Sequence, residues 1–320
     1  GLGVVIGNTP SGSTTGNVLL STTSGNISIT GTGTDAANSG TGWRHALLLY
    51  VKNATEQVTV RSTSGSITLD GQGQFSSAAL AGSDSSGLQI QSSSTTSPIK
   101  VVSQSGQITL RGSNTLESSQ YLNGIRLTSS NAADNIRIGY DGTNAYSGDI
   151  LIEANSILQH SNQTGTGSLS VQGTGSLTIR PIGSNFTQLR AGDSGSLSFD
   201  NDWNFGSTLS GFTLGKVGNT ANITLASTAS INGPISIYGG TVTLNAGLTT
   251  SNASTGDVAI TASTGLTGSG GVALANDRTL TVTQTGNTSY SGVISGTNTS
   301  FVKNGVGDLT LAGASTYGGS

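Results

Sequence analysis

Three stretches of this chain repeat one unit at nearly constant spacing. Leu47-Leu48-Leu49, Leu88-Gln89-Ile90 and Ile125-Arg126-Leu127 each precede a second apolar triplet. Those second triplets are Val58-Thr59-Val60, Ile99-Lys100-Val101 and Ile136-Arg137-Ile138, and the offset is the same in all three copies. A third triplet follows at one shared offset in the first two copies, Ile67-Thr68-Leu69 and Ile108-Thr109-Leu110, and somewhat later in the third, at Ile150-Leu151-Ile152. Three short strands per unit, returning about every 40 residues, predict a chain wound as a coil, a β-solenoid.

The physical reason lies in the alternation. Ile67-Thr68-Leu69 reads apolar, polar, apolar, so as a strand it has one dry face and one wet face. Three such strands per turn can point every dry face inward, and stacking the next turn completes the burial. The outer residues of each triplet are therefore expected in the core and the middle ones in water. The corners fall at Ser64-Gly65, Ser105-Gly106 and Ser147-Gly148, where glycine is expected to supply positive φ.

Composition agrees with an ordered chain. Gly and Pro, 49 and 4 of 320 residues, stay below the level of disordered low-complexity sequence. Charged residues are only 8 %, so Ser, Thr, Asn and Gln must cover the outside; aromatics are 5 %, so Ile, Leu and Val must fill the inside. A net charge of −3 without a basic stripe argues against nucleic acid and anionic membranes as partners. With no cysteine, disulfides and thiolate metal sites are excluded. The longest apolar run, Ala46 to Val51, is far too short to span a membrane. The abrupt ends, Gly-Leu-Gly-Val-Val and Gly318-Gly319-Ser320, read as those of an excerpt, with any export signal upstream and no cap after Leu311.

Beyond residue 165 the rhythm tightens. Leu169-Ser170-Val171 is followed closely by Leu177-Thr178-Ile179, and Ile235-Ser236-Ile237 still more closely by Val242-Thr243-Leu244. The chain thus divides into a solenoid with long repeats (1–165), one with shorter irregular turns (166–289) and a final segment (290–320). Loop excursions are expected at Asp70–Gly87, Arg111–Gly124 and Asp200–Asn222. Helical periodicity is absent; Ala78 to Leu80 comes nearest and is too short.

Within the final segment, three motifs follow one another. They are Tyr290-Ser291-Gly292-Val293-Ile294-Ser295-Gly296, Lys303-Asn304-Gly305-Val306-Gly307-Asp308-Leu309-Thr310-Leu311-Ala312-Gly313 and Thr316-Tyr317-Gly318-Gly319. This segment resembles the autotransporter-associated β-strand repeat, departing from it at Ser315, where Asn is usual, and at Phe301-Val302. The recurring Ser-Gly-x-Ile-x-Leu corners elsewhere are similar in style to filamentous-haemagglutinin-like exoproteins. The resemblance implies a right-handed parallel β-helix in a large Gram-negative cell-surface or secreted protein, with an adhesive, aggregative or stalk role. It carries no active site with it.

The residues themselves offer few candidates for chemistry. Asp200-Asn201-Asp202-Trp203 could supply paired carboxylates for a polysaccharide hydrolase or lyase, but reads more simply as a solvated turn with Trp203 over apolar surface. His45 and His160 are isolated and read as satisfied surface residues rather than metal ligands. Asp141 to Asp149 is oxygen-rich yet lacks calcium-loop spacing, and reads as a bulged corner. Thr279 to Thr285 could present an ice-binding hydroxyl ladder, but neighbouring triplets do not extend it. Sequons at Asn53, Asn162, Asn185, Asn222 and Asn298 are those chance produces in such a composition.

No catalytic, cofactor-binding or metal-ligating residue is assigned. The expected role is mechanical, a non-catalytic stiff rod of about eight turns and roughly 40 Å, adhesive or structural. Its partners would be surface or host glycans or proteins, or other copies along the rod. A carbohydrate-active β-helix and an ice-binding solenoid are the alternatives.

Overall fold

The computed structural model describes residues 2–8, 16–34, 44–75, 85–94, 96–115, 122–129, 134–161, 169–190, 193–194, 196–199 and 203–318. These form an all-β parallel solenoid. The first sheet stacks Val4–Gly7, Arg44–Val51, Ser85–Ser92, Leu122–Ser129 and Ile157–Ser161. The second stacks Val18–Thr22, Val58–Ser62, Ile99–Ser103, Ile136–Ile138, Leu169–Val171 and Trp203–Phe205. The third begins at Ile27–Thr34 and runs through ten parallel strands in succession to Ser300–Asn304. At a strand spacing of about 4.8 Å its length is about 43 Å.

Register follows the triplets. Leu47 pairs with Leu88 and Leu88 with Ile125; Val58 pairs with Ile99 and Ile99 with Ile136; Ile67 pairs with Ile108 and Ile108 with Ile150. Most described triplets of the second and third sheets alternate as expected, with Ser170 a buried exception: Ile108 and Leu110 are fully buried, whereas Thr109 is half-buried and faces outward. The first sheet departs from it. Its middle residues Leu48, Gln89 and Arg126, which form one cross-turn row, are buried as well. The outward face of this sheet is covered rather than wet, and Phe75 and Leu122 form a small cluster apart from the main core.

The corner glycines serve a purpose other than the expected one. Gly65, Gly106 and Gly148 are not among the residues with positive φ. They stack instead: a Cβ on Gly65 would lie 2.0 Å from the Gly25 carbonyl oxygen, on Gly106 2.3 Å from that of Gly65, and on Gly148 2.1 Å from that of Gly106. Close approach of successive turns, not backbone handedness, demands glycine here. The residue three before each of the first corner glycines completes the turn, because Thr22, Ser62 and Ser103 accept the N–H of Gly25, Gly65 and Gly106 through their hydroxyls.

The first two excursions prove shorter than expected, since Ile67–Gln74, Ser85–Ser92, Ile108–Asn114 and Leu122–Ser129 carry strand deep into them. Residues 76–84 and 116–121, with Ala78 to Leu80, lie outside the described residues. The third expected excursion is a correction. Within Asp200–Asn222 the chain makes two regular strands, Trp203–Phe205 on the second sheet and Gly211–Leu214 on the third. Aromatic residues take the aliphatic places: Trp203 stacks on Phe205 at 5.6 Å and Phe205 packs on Phe212 at 5.1 Å. Trp203 is a core residue, not a lid over a turn.

From there the coil tightens until a turn takes little more than half as much chain. The pairs Ile235 with Val258, Val258 with Leu280 and Leu280 with Phe301 mark its successive turns. Ile235–Leu244 is one strand, bent near Gly239 and Gly240, so its two closely spaced triplets sit on successive walls of one turn. The remaining wall is a sheet of Ala229–Ile231, Leu248–Thr250, Val272–Ala273, Ile294–Gly296 and Thr316–Tyr317.

Candidate functional site

Among the described residues many polar side chains join one turn to the next. Asn26 accepts the N–H of Ser66, Asn185 that of Thr220, Asn222 that of Thr241 and Asn287 that of Asp308, each at 2.6 to 2.9 Å. Two of the sequon asparagines, Asn185 and Asn222, are thus cross-turn staples. Asn53 donates to Glu56, and Asn298 sits in a turn at φ 54°. Asn162 lies outside the described residues.

A ladder of alternating charge climbs the third sheet at the position after each triplet. Asp70, Arg111, Glu153 and Arg180 are consecutive partners, with ion pairs of 3.4, 3.2 and 2.9 Å. In the tighter coil Gln284 is fully buried, accepts from Leu266 N–H and donates to the Gly286 and Asp308 carbonyls, tying three turns together. Tyr290 is buried too and donates to the Gly270 carbonyl; burial pushes its pKa up to about 12. Ser315 accepts the Ile294 N–H through its hydroxyl at 3.1 Å.

The candidates read from sequence resolve as follows. Asp200 and Asp202 lie outside the described residues. His45 is not at the surface: it is fully buried in the first sheet, and burial, reinforced by the Arg126 guanidinium, brings its pKa down to about 3. His160 belongs to the strand Ile157–Ser161, and its side chain lies outside the described residues. The Thr279-Thr281-Thr283 face is flanked by Asp257, Ala259 and Thr261 on one side and Ser300, Val302 and Asn304 on the other, so no flat threonine array extends from it. Among the described residues no three His, Asp or Glu side chains converge.

Asp141 to Asp149 is a corner of more design than a bulge. Tyr140 and Ala145 form an antiparallel bridge, closing a small hairpin. The Asp141 carboxylate is its hub: Oδ1 accepts the N–H of Thr143 and Asn144, and Oδ2 accepts from Asn144 Nδ2 and, at 2.6 Å, from the Tyr146 hydroxyl. Burial alone would raise its pKa, but the bonds from Tyr146, Asn144 and Thr143 outweigh it and hold the carboxyl well below its ordinary range. Arg137 braces the base of the hairpin, 2.9 Å from the Asp134 carboxylate, bonded to the Asp141 carbonyl and stacked 5.5 Å over the Tyr140 ring.

This hairpin closes one side of an open cleft of ≈ 250 Å³ on the outer face of the second sheet. The floor is built from outward rows of successive strands. Leu19, Thr59 and Lys100 form one row, and Arg61 and Val102 belong to the next. Gln104, Asp141 and Tyr146 complete the rim. Arg61 is exposed and Lys100 half-buried, and among the described residues neither makes an ion pair or hydrogen bond. The cleft is the one place where sequence reading passed over a candidate. Its signal was the cation in the middle of Ile99-Lys100-Val101 and the one just after Val58-Thr59-Val60.

Comparison with protein-family models, with curated proteins and with solved structures returns no match.

Proposed function

We infer that this chain is a non-catalytic, load-bearing and adhesive segment of a bacterial cell-surface or secreted protein, a stalk that displays binding surface on its walls. The observation that carries this reading is the third sheet, parallel and unbroken from Ile27 to Asn304. A single ladder through ten turns makes a stiff rod, because bending it would break hydrogen bonds on every wall at once.

The polar chemistry supports the same reading. Glu56, Asp70, Glu153, Asp134 and Asp141 are each committed to hydrogen bonds or ion pairs within the wall. The cleft's own carboxylate, Asp141, is a poor proton carrier, since four donors fill its oxygens and keep it ionised far into acid. The resemblance of residues 290–319 to the autotransporter-associated repeat points the same way. Tyr290 and Ser315, at motif positions, are spent on stacking turns and not on an exposed site.

The test has two arms. Hydrogen exchange at neutral pH should show the third sheet protected as one continuous ladder, from Ile67 to Leu69 through Val258 to Ile260. Beads coated with the chain should be retained on cell or polysaccharide surfaces without releasing reducing sugar. Piecemeal exchange along that sheet, or measurable polysaccharide cleavage, would end the stalk reading.

A further inference from the structure

We propose that the cleft on the second sheet binds an acidic oligosaccharide, one bearing carboxylate groups on successive sugars, through Arg61 and Lys100. The inference rests on the adhesive reading and gives it a ligand class. Arg61 and Lys100 stand on adjacent strands, two residues apart along the sheet, because Lys100 pairs with Thr59 and Arg61 with Val102. Strand spacing of about 4.8 Å and a rise of about 3.3 Å per residue put their backbones about 8 Å apart. Two cations at that separation, neither paired within the described residues, meet charge repeated along a chain better than a single small anion. Of the charged groups nearby, Arg137 faces Asp134, while Asp141 stays ionised on the rim with its oxygens turned to four donors, so Arg61 and Lys100 leave the lining net positive.

The shape and lining select a saccharide. The cleft crosses the strands Val18–Thr22, Val58–Ser62 and Ile99–Ser103, about 10 Å between the first and third, before the hairpin adds its width. An oligomer lying along the coil axis fits that length. Thr59, Thr63 and Gln104 offer hydroxyl and amide partners for sugar hydroxyls. Leu19, 59 % exposed, and the Tyr146 side chain offer apolar surface for the C–H faces of sugar rings. Arginine suits a planar carboxylate because its donors can engage both oxygens together. Nucleic acid would require a longer basic track than two side chains on an acidic chain.

The experiment titrates the whole chain with fluorescently labelled tetragalacturonate, with neutral maltotetraose and a short oligothymidylate as controls. Tetragalacturonate should bind, and raising NaCl from about 50 mM to about 500 mM should weaken it roughly tenfold or more. The double variant Arg61→Gln/Lys100→Gln, which keeps much of both side-chain stems, should lose at least tenfold in affinity with its thermal melt unchanged. Tyr146→Phe should bind more weakly than wild type, because it frees the rim that Asp141 holds. The inference is overturned by failure of tetragalacturonate to bind, by equal binding of maltotetraose, by tighter binding of oligothymidylate, or by an unaltered affinity in the double variant. Bead adhesion is read separately. Loss of saccharide binding in wild type with adhesion intact removes the cleft alone, and absence of adhesion with saccharide binding intact removes the adhesive reading alone.

Discussion

The coil is built in two gauges, and they differ in what lies outside the core, not in the core itself. In the first gauge, marked by Ile67, Ile108 and Ile150, the turns are long and the first sheet is buried on both faces. In the second, from Ile235 onward, the turns are little more than half that length and the middle residue of each triplet faces outward. Both keep the same inward pairs of Ile, Leu and Val. Turn length is therefore free to vary as long as three apolar triplets return to register, because the core sees only the triplets. The wider gauge gains covered surface, buried polar groups and the cleft; the narrower one approaches the minimum chain needed to close a turn.

The largest difference should appear at the middle residue of a triplet. Leu48→Asp would bury an unpaired charge and cost on the order of 3–5 kcal/mol. Ala259→Asp, in the middle of a narrow-coil triplet on the third sheet, is exposed and should stay within about 0.5 kcal/mol. Chemical denaturation of both variants measures this, and equal costs would erase the distinction between the gauges.

Next comes glycine. At Gly71 an added Cβ would lie 2.1 Å from the Gly87 carbonyl oxygen, so Gly71→Ala should cost about 2–3 kcal/mol through forced backbone shifts. In the narrow coil Gly247 meets nothing nearer than the Gly271 carbonyl oxygen at 3.8 Å, and Gly247→Ala should be neutral to slightly stabilising. A melt that falls equally for both would show that the close approach at Gly71 is relieved cheaply.

Acid should separate the two regions as well. His45, whose folded pKa is about 3 against an ordinary 6.5, is held neutral by the fold. Its contribution is complete above about pH 6.5 and is lost progressively as pH falls toward 3, because the unfolded chain takes up the proton first. Hydrogen exchange at Leu47 to Leu49 should therefore accelerate, relative to Val258 to Ile260, between pH 6.5 and 4. His45→Gln should flatten that difference; an unchanged profile would place the acid sensitivity elsewhere.

The smallest effect belongs to the charge ladder. Glu153→Gln removes the partner of both Arg111 and Arg180, which are partly exposed, so the loss should be about 0.5–1 kcal/mol and should shrink in high salt. A salt-independent loss would mean that packing of Glu153, not its charge, secures the wider turns.

The spacing of the triplets by itself determined the solenoid, its three walls and its register, because a strand with one dry face has only one way to hide it when the unit repeats. Leu47, Leu88 and Ile125 could be aligned before any coordinates. Sequence could not show the second covered face at Leu48, nor the burial of His45, since both depend on what lies across from them in space. It assigned the stacked corner glycines to positive φ when their neighbours in the adjacent turn were the true constraint. It passed over Trp203-Asn204-Phe205 and Phe212-Thr213-Leu214 as strands because aromatic side chains stood in the aliphatic places. Arg61 and Lys100 are distant along the chain, and only the coil, by placing Lys100 beside Thr59, brings them onto the floor of one cleft. Periodicity encodes which residues go inward; what gathers outside is decided by turns that meet only after the chain has wound.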